Sequence, residues 1–161
     1  MFYNTENLKD NEIYLKLRKT CDAQPEKDWV PAYYFDICLL NDTKIGVCDL
    51  RIGHNTNSYL GGNIGHNTNS YLGGNIGYTV DEPYRGNHYA LKSSKLLFTL
   101  AKKHSMDYLI ITCKPDNIPS CRTCELLGGE LLEVKDLPKD HDLCRQGYTN
   151  VNVYRFDFNN I

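Results

Sequence analysis

The sequence predicts one α/β (α+β) domain with a mixed central sheet, a parallel strand pair and flanking helices. Three observations support this fold class. Short apolar or alternating stretches fill the first half of the chain, a strand–helix–strand–helix series follows, and two further strands close the sequence. A length of 161 residues supplies one hydrophobic core and is too short for two ordinary domains. We therefore expect residues 1–161 to form a single domain.

The first half of the chain is predicted to be a series of antiparallel strands. Residues 13–19 alternate apolar and polar side chains, and residues 33–40 form a second apolar stretch. Residues 44–52 and 75–80 are the next two strands, and the segment between them is rich in Asn, Ser and Gly. Such a strand–loop–strand unit is typical of a β-hairpin.

An exact tandem repeat occupies the connection of this hairpin. Residues 52–63 recur as residues 64–75, and the identity continues until Tyr78 replaces His54 and His66. Two copies with no sequence difference between them are typical of a recent or an engineered duplication. We expect a protruding connection that is remote from the functional site. Either copy fits the same strand, so the chain is expected to be a monomer or a homodimer with exchange through the duplicated segment.

The second half of the chain alternates strands with helices. The predicted elements are a strand at 76–80, a helix at 89–101, a strand at 108–113, a helix at 117–127, and strands at 130–134 and 151–158. A helical crossover between the first two of these strands predicts that they are parallel neighbours. Ligands in such sheets bind beyond the carboxyl ends of the strands.

The turn after the strand at 76–80 is a candidate anion site. Residues 85–90 read Arg-Gly-Asn-His-Tyr-Ala and lead directly into the helix. The free N–H groups of the first helical turn and the positive end of the helix dipole point at the same place. Arg85 adds a fixed charge whose geometry suits phosphate. This pattern predicts a diphosphate-binding turn, and the alternative is an ordinary strand-to-helix turn with a surface arginine.

A second motif follows the strand at 108–113. Asn117 is a predicted N-cap, Pro119 is tolerated in a first turn, and Gly128 with Gly129 closes the short helix. Taken alone, this motif predicts only a capped helix. Its order and spacing relative to the first motif are more specific than either motif by itself.

The two motifs together resemble the GNAT acyltransferase superfamily between residues 45 and 158, most closely the branch that acetylates ribosomal-protein N-termini and related amines. The family's pyrophosphate loop is Arg/Gln-x-x-Gly-x-Gly/Ala, and its second loop is Asn-x-x-Ser/Ala before a helix that ends in Leu-Gly. His88 departs from the family's central glycine, and its side chain could crowd the phosphates or, if protonated, help to bind them. The resemblance implies acetyl-CoA as cosubstrate, bound by Tyr78, Val80, Arg85, Gly86, Asn87, His88, Tyr89, Ala90, Asn117 and Ser120.

Acetyl transfer to an amine needs a base for the amine and an acid for the departing thiolate. In many GNAT enzymes the acid is a tyrosine at the position that Cys124 occupies here, so Cys124, Ser120 and a water stay open as acids. Cys124 also fits a small buried residue on a helix. Glu82, Asp81 and His141 are candidate bases near the expected cleft, although no motif supports them.

Four residues have spacing that is compatible with a structural zinc site. Cys121 and Cys124 form one close pair, and His141 and Cys144 form another, sixteen residues further on. The first pair lies within a predicted helix rather than in a turn. We therefore expect no metal.

The composition excludes several classes of protein. The formal net charge is -2 and the pI is about 6.2, which argues against nucleic-acid and membrane-surface partners. The apolar runs are too short to span a membrane, and the polar N-terminus does not resemble a signal peptide. Seven cysteines without a secretory signal indicate reduced thiols and a cytoplasmic protein.

The expected activity is acetyl-CoA-dependent N-acetylation of a primary amine, carried by a small molecule or a peptide N-terminus. Two alternatives remain open at the level of sequence. One is a GNAT-fold module that binds acyl-CoA without turnover, because His88 and Cys124 depart from the family pattern. The other is a zinc-stabilised interaction domain. The sequence does not name the acceptor amine.

Overall fold

A computed structural model describes residues 2–27, 29–53, 74–137, 139, 144, 147 and 149–158. These residues contain seven strands, two α-helices and two short 3-10 helices. The strands are β1 (Ile13–Cys21), β2 (Ala32–Leu39), β3 (Lys44–Arg51), β4 (Ile76–Val80), β5 (Tyr108–Cys113), β6 (Glu130–Asp136) and β7 (Asn150–Asp157). The α-helices are α1 (Tyr89–Lys103) and α2 (Ile118–Leu126), and the 3-10 helices are Pro25–Lys27 and Glu82–Tyr84.

The strands form two antiparallel sheets. The first sheet has the order β1-β2-β3-β4, so that β1 and β4 are its edges. The second sheet has the order β5-β7-β6. Two sheets with two helices confirm the predicted α+β class.

The main hydrophobic core lies between the two sheets and α1. Alternate residues of a strand point to one face, and the inward set includes Leu15 on β1, Phe35 on β2 and Leu50 on β3. The helix α1 buries one face at helical spacing, through Ser93, Ser94, Leu97, Phe98, Leu100 and Ala101. Packing along this face fixes the direction of α1 and therefore the place where its N-terminus lies.

The predicted parallel pairing of residues 76–80 with 108–113 is wrong. Among the described residues every paired strand is antiparallel, and β4 and β5 belong to different sheets. The sheets instead meet at Asn75, whose backbone N–H donates to the Ile110 carbonyl oxygen at 2.6 Å. The Asn75 side-chain oxygen accepts from the Ile110 N–H at 2.8 Å. Because this side chain satisfies Ile110 in place of a strand, β4 continues as a sheet edge beside α2 rather than as a partner of β5.

The strands β3 and β4 pair as the predicted hairpin requires, from Gly46 opposite Val80 to Leu50 opposite Ile76. Most of the tandem repeat, residues 54–73, lies outside the described residues. In the described part of the chain, no helix is both long and apolar enough to cross a membrane.

Candidate active site

The turn between β4 and α1 is built by short-range backbone bonds. The Tyr84 N–H donates to the Asp81 oxygen at 2.9 Å, and the Arg85 N–H donates to the Glu82 oxygen at 3.2 Å. Gly86 has a φ of 87°, and an added Cβ would meet no atom within 4 Å. Glycine is therefore favoured here by the backbone conformation and not by lack of space. We call residues 85–90 the phosphate turn.

His88 is the N-cap residue of α1 and has a left-handed backbone, with φ 62° and ψ 25°. For a residue with a side chain this conformation costs about 1–2 kcal/mol, whereas glycine adopts it readily. The His88 side chain is exposed and makes no capping hydrogen bond. His88 thus holds, at an energetic cost, a backbone conformation that favours glycine, and the amides of the first turn of α1 have no partner within the helix.

The side chain of Arg85 is anchored to the end of β4. Its Nε–H donates to the Val80 carbonyl oxygen at 2.8 Å, while Asn87 Nδ2 donates to the Tyr84 oxygen at 3.1 Å. The Nη groups of Arg85 carry its other four N–H donors. An exposed, fixed guanidinium next to free helix amides is suited to a diphosphate.

The helix α2 has its N-terminal turn beside β4, the strand that leads into the phosphate turn. Asn117 caps it, since its side-chain oxygen accepts from the Ser120 N–H at 3.3 Å, which confirms the predicted N-cap. The other end closes with the Gly129 N–H donating to the Cys124 oxygen at 3.0 Å. Both ends of α2 are thus fixed by local bonds.

The first turn of α2 touches β4 through a pair of hydroxyl groups. Ser120 is 9% exposed, and its Oγ lies 2.8 Å from the hydroxyl of Tyr78 on β4. Cys124, one helical turn later on α2, is fully buried. Burial is the main reason that the pKa of Tyr78 is raised, and the nearby Cys124 raises it further. The Tyr78 hydroxyl therefore keeps its proton at physiological pH.

Two further thiols adjoin this pair. The sulfur atoms of Cys113, at the end of β5, and Cys121, on α2, are 3.4 Å apart. The pKa of the Cys113 thiol is raised by its hydrogen bond with Cys124 and by burial. Neutral thiols are poor nucleophiles, so these groups act here as weak hydrogen-bonding partners. We call Tyr78, Cys113, Ser120, Cys121 and Cys124 the hydroxyl–thiol cluster.

Sequence reasoning did not predict that Cys113 belongs to this cluster. The available signal was the i, i+4 spacing of Ser120 and Cys124, which places both on one helix face. That face meets the last residue of β5 and the middle of β4, and this meeting depends on how the sheets diverge.

The other predicted residues fall into three groups. Asp81 and Glu82 are exposed at the start of the phosphate turn, as befits solvent-accessible carboxylates. His141 lies outside the described residues. Cys144 packs against a smaller core cluster of the second sheet, and its thiol donates to the Leu137 oxygen at 4.0 Å. Within the described ranges, no three side chains of His, Cys, Asp or Glu are grouped to hold a metal ion.

Comparison with known proteins gives a family and a set of similar folds. A family model described as an acetyltransferase (GNAT) domain matches residues 2–130. The apo structure of RimL, a ribosomal L7/L12 alpha-N-protein acetyltransferase, is 20% identical, with 79% of this chain and 61% of that chain covered and a TM-score of 0.55. The ribosomal-protein-S5-alanine acetyltransferase of Vibrio fischeri is 16% identical, with 78% and 61% covered and a TM-score of 0.55.

A third similar structure contains the cosubstrate that the sequence predicts. It is the microcin C7 self immunity acetyltransferase MccE in complex with acetyl-CoA and AMP, at 20% identity, 79% and 61% coverage and a TM-score of 0.55. A comparison with curated proteins gave no match. These identities establish likeness of fold, and the chain spans 61% of the length of each of the three proteins.

Proposed function

The chain belongs to the GNAT acetyltransferase domain family, and we propose that it uses acetyl-CoA to N-acetylate a primary amine. One observation carries this proposal. The first turn of α2 contacts the edge strand β4 through Ser120 and Tyr78, at 2.8 Å, and the same strand leads through the phosphate turn into the N-terminus of α1. Two helix N-termini, a fixed arginine and a buried hydroxyl are the groups needed to hold a diphosphate and to act on a nearby thioester.

Cofactor binding is assigned to two sets of residues. Arg85 and the backbone of residues 86–90 would hold the diphosphate, and the main chain of Tyr78 and Val80 on the adjoining strand would contact the cofactor as well. Asn117 and Ser120 would contact the pantetheine arm. The proposal is supported by the acetyl-CoA that was solved with MccE, and it requires no metal.

The proposed reaction makes a carbon–nitrogen bond as the carbon–sulfur bond of the thioester breaks. Acetyl-CoA supplies an acetyl group activated as a thioester. Ser120 donates a hydrogen bond to the sulfur that leaves and relays to it the proton that the nitrogen loses after attack, so that the sulfur ends as a free thiol. Asp81 or Glu82, both exposed at the start of the phosphate turn, attracts the cationic amine and takes up its proton.

The acceptor is proposed to be a peptide N-terminus or a small amine. RimL and the Vibrio fischeri protein are named for ribosomal-protein acetylation, which supports a peptide N-terminus. We further propose that the whole chain acts as one acyltransferase domain, as a monomer or a homodimer.

A second candidate function is an acyl-CoA-binding module without turnover. The observation that favours it is Cys124, which occupies the family's acid position and is fully buried. Such a module would use the phosphate turn and Asn117 in the same way, so only turnover separates the two candidates.

Two measurements test the proposal and separate it from its rivals. Acetyl-CoA should raise the melting temperature of the purified chain, and no rise would contradict any acyl-CoA-binding function. Thiol release should then be followed with spermidine, an aminoglycoside and peptides with free N-termini. Release that depends on one of these amines supports the enzyme, whereas binding with no release on the whole panel supports the binding module.

A further inference from the structure

We propose that Tyr78 is a positioning residue of the reaction, which donates its hydroxyl hydrogen to Ser120 Oγ and so directs the Ser120 hydroxyl hydrogen towards the leaving sulfur. This inference rests on the proposed acetyl transfer and adds a residue on β4 to its chemistry. The contact that carries it joins residues 42 positions apart in sequence, at 2.8 Å.

The position of the Tyr78 hydroxyl is fixed by the strand that carries it. Tyr78 lies opposite Cys48 in the antiparallel ladder of β3 and β4, and its ring packs against the main core. Its only rotatable polar group is therefore held at one place beside α2. Ser120, by contrast, has a small side chain whose hydroxyl can rotate, so an external partner is needed to choose one orientation.

The direction of the hydrogen bond follows from acidity. A phenol is more acidic than an aliphatic alcohol and is the stronger donor, so Tyr78 donates and Ser120 accepts. Burial raises the pKa of Tyr78, which keeps the donor protonated. Once Ser120 accepts this bond, its own hydrogen is free to be given to another acceptor.

A competing partner shows why the tyrosine is needed. The Cys113 thiol on β5 is buried, and hydrogen bonding with Ser120 is a minor influence that lowers the pKa of this thiol. Without the Tyr78 hydroxyl, the Ser120 side chain is expected to turn towards Cys113 and away from the open edge of β4. Tyr78 therefore acts through Ser120, and its loss should lower turnover rather than cofactor affinity.

The test is a double-mutant cycle of Tyr78→Phe and Ser120→Ala in the full chain. Tyr78→Phe should lower kcat by about fivefold to twentyfold and leave KM for acetyl-CoA within about twofold. The double variant should match Ser120→Ala within about twofold, because both changes remove the same interaction. Tyr14→Phe is the matched control, since that hydroxyl bonds Asp42 and lies on β1, at the other edge of the sheet.

A second readout uses the free protein. Each single change should lower the melting temperature by about 2–4 °C. The double variant should have about the same melting temperature as the less stable of the two single variants, because both changes remove the same interaction. If Tyr78→Phe does not fold, Tyr78→His replaces it, because the shorter imidazole keeps polarity without reaching Ser120. The same loss of kcat is expected.

The outcomes separate the inference from the proposed function. An active wild type with unchanged kcat in the Tyr78 variants, or with multiplicative losses in the double variant, overturns the role of Tyr78 alone. A wild type that releases no thiol with any amine overturns the proposed function and this inference with it.

Discussion

The phosphate turn follows β4 and the hydroxyl–thiol cluster includes Tyr78 of the same strand, yet the two regions are built in different ways. The turn is exposed, and its side-chain bonds span three to five residues, from Asn87 to Tyr84 and from Arg85 to Val80. The cluster is mostly buried and joins β4, β5 and α2. A site made of backbone amides tolerates changes of side chain, whereas a site made of packed side chains does not. We therefore expect changes in the turn to affect cofactor affinity and loss of the two hydroxyl groups of the cluster, on Tyr78 and Ser120, to affect turnover.

The largest effect is expected within the cluster, where Ser120 and Cys124 can be compared on one helix. Ser120→Ala should lower kcat/KM by several-fold to about a hundredfold, the range of a lost positioning or proton-transfer group. Cys124→Ala should keep most of kcat, because its thiol is fully buried and neighbours Tyr78 and Cys113 rather than solvent. Steady-state thiol release at saturating acetyl-CoA measures both.

The turnover of these two variants can be compared only if both variants fold. Cys124→Ala creates a small cavity and should lower the melting temperature by about 2–4 °C, so a thermal scan must accompany the kinetics. Loss of turnover in Cys124→Ala with an intact fold, and little change in Ser120→Ala, would make Cys124 the acid.

An effect of similar size, on cofactor affinity rather than on turnover, is expected for the charged side chain of the turn. Arg85→Ala removes a charged contact worth roughly 1.5–3 kcal/mol, so the affinity for acetyl-CoA should fall at least about tenfold. Calorimetry measures the affinity directly. Arg18→Ala is the control, because it removes an equal charge that pairs with Asp36 on the first sheet. Equal affinity for acetyl-CoA in the wild type and Arg85→Ala would show that this turn does not bind the diphosphate.

A change of about one kcal/mol is expected at His88. His88→Gly relieves a left-handed backbone and should raise the melting temperature by about 2–4 °C. It also removes an imidazole from the phosphate turn, and we expect a modest loss of acetyl-CoA affinity. Tighter binding would show instead that the ring crowds the diphosphate. A scan with and without acetyl-CoA separates the two effects.

The smallest effect is expected for deletion of residues 64–75. The deletion joins Asn63 to Ile76, so Gly62 and Asn63 take the sequence positions of Gly74 and Asn75 before β4. The shorter connection changes loop-closure entropy by only about 0.8 kcal/mol. Folding and acetyl-CoA affinity should be kept, as thermal scans and calorimetry would show. A large loss of binding would place the repeat within the site.

The sequence was sufficient for features that depend on local pattern. Residues 85–90 and Asn117 could be interpreted from helix N-terminal chemistry, and the structure confirms that both segments start helices. The parallel pairing of β4 with β5 could not be predicted correctly, because a single side chain, Asn75, satisfies Ile110 in place of a ladder. The contact of Tyr78 with Ser120 was also missed, since it depends on how two sheets diverge and not on spacing.

The most direct test of the division between the two regions is one titration of acetyl-CoA against the wild type, Arg85→Ala and Ser120→Ala, at a fixed saturating amine. Thiol release gives kcat and KM for each protein. We predict that Arg85→Ala raises KM at least about tenfold with kcat nearly unchanged, and that Ser120→Ala lowers kcat by a larger factor than it raises KM. If both variants changed kcat alone or KM alone to the same extent, or if neither variant changed either constant, the proposed division between cofactor binding and turnover would be contradicted.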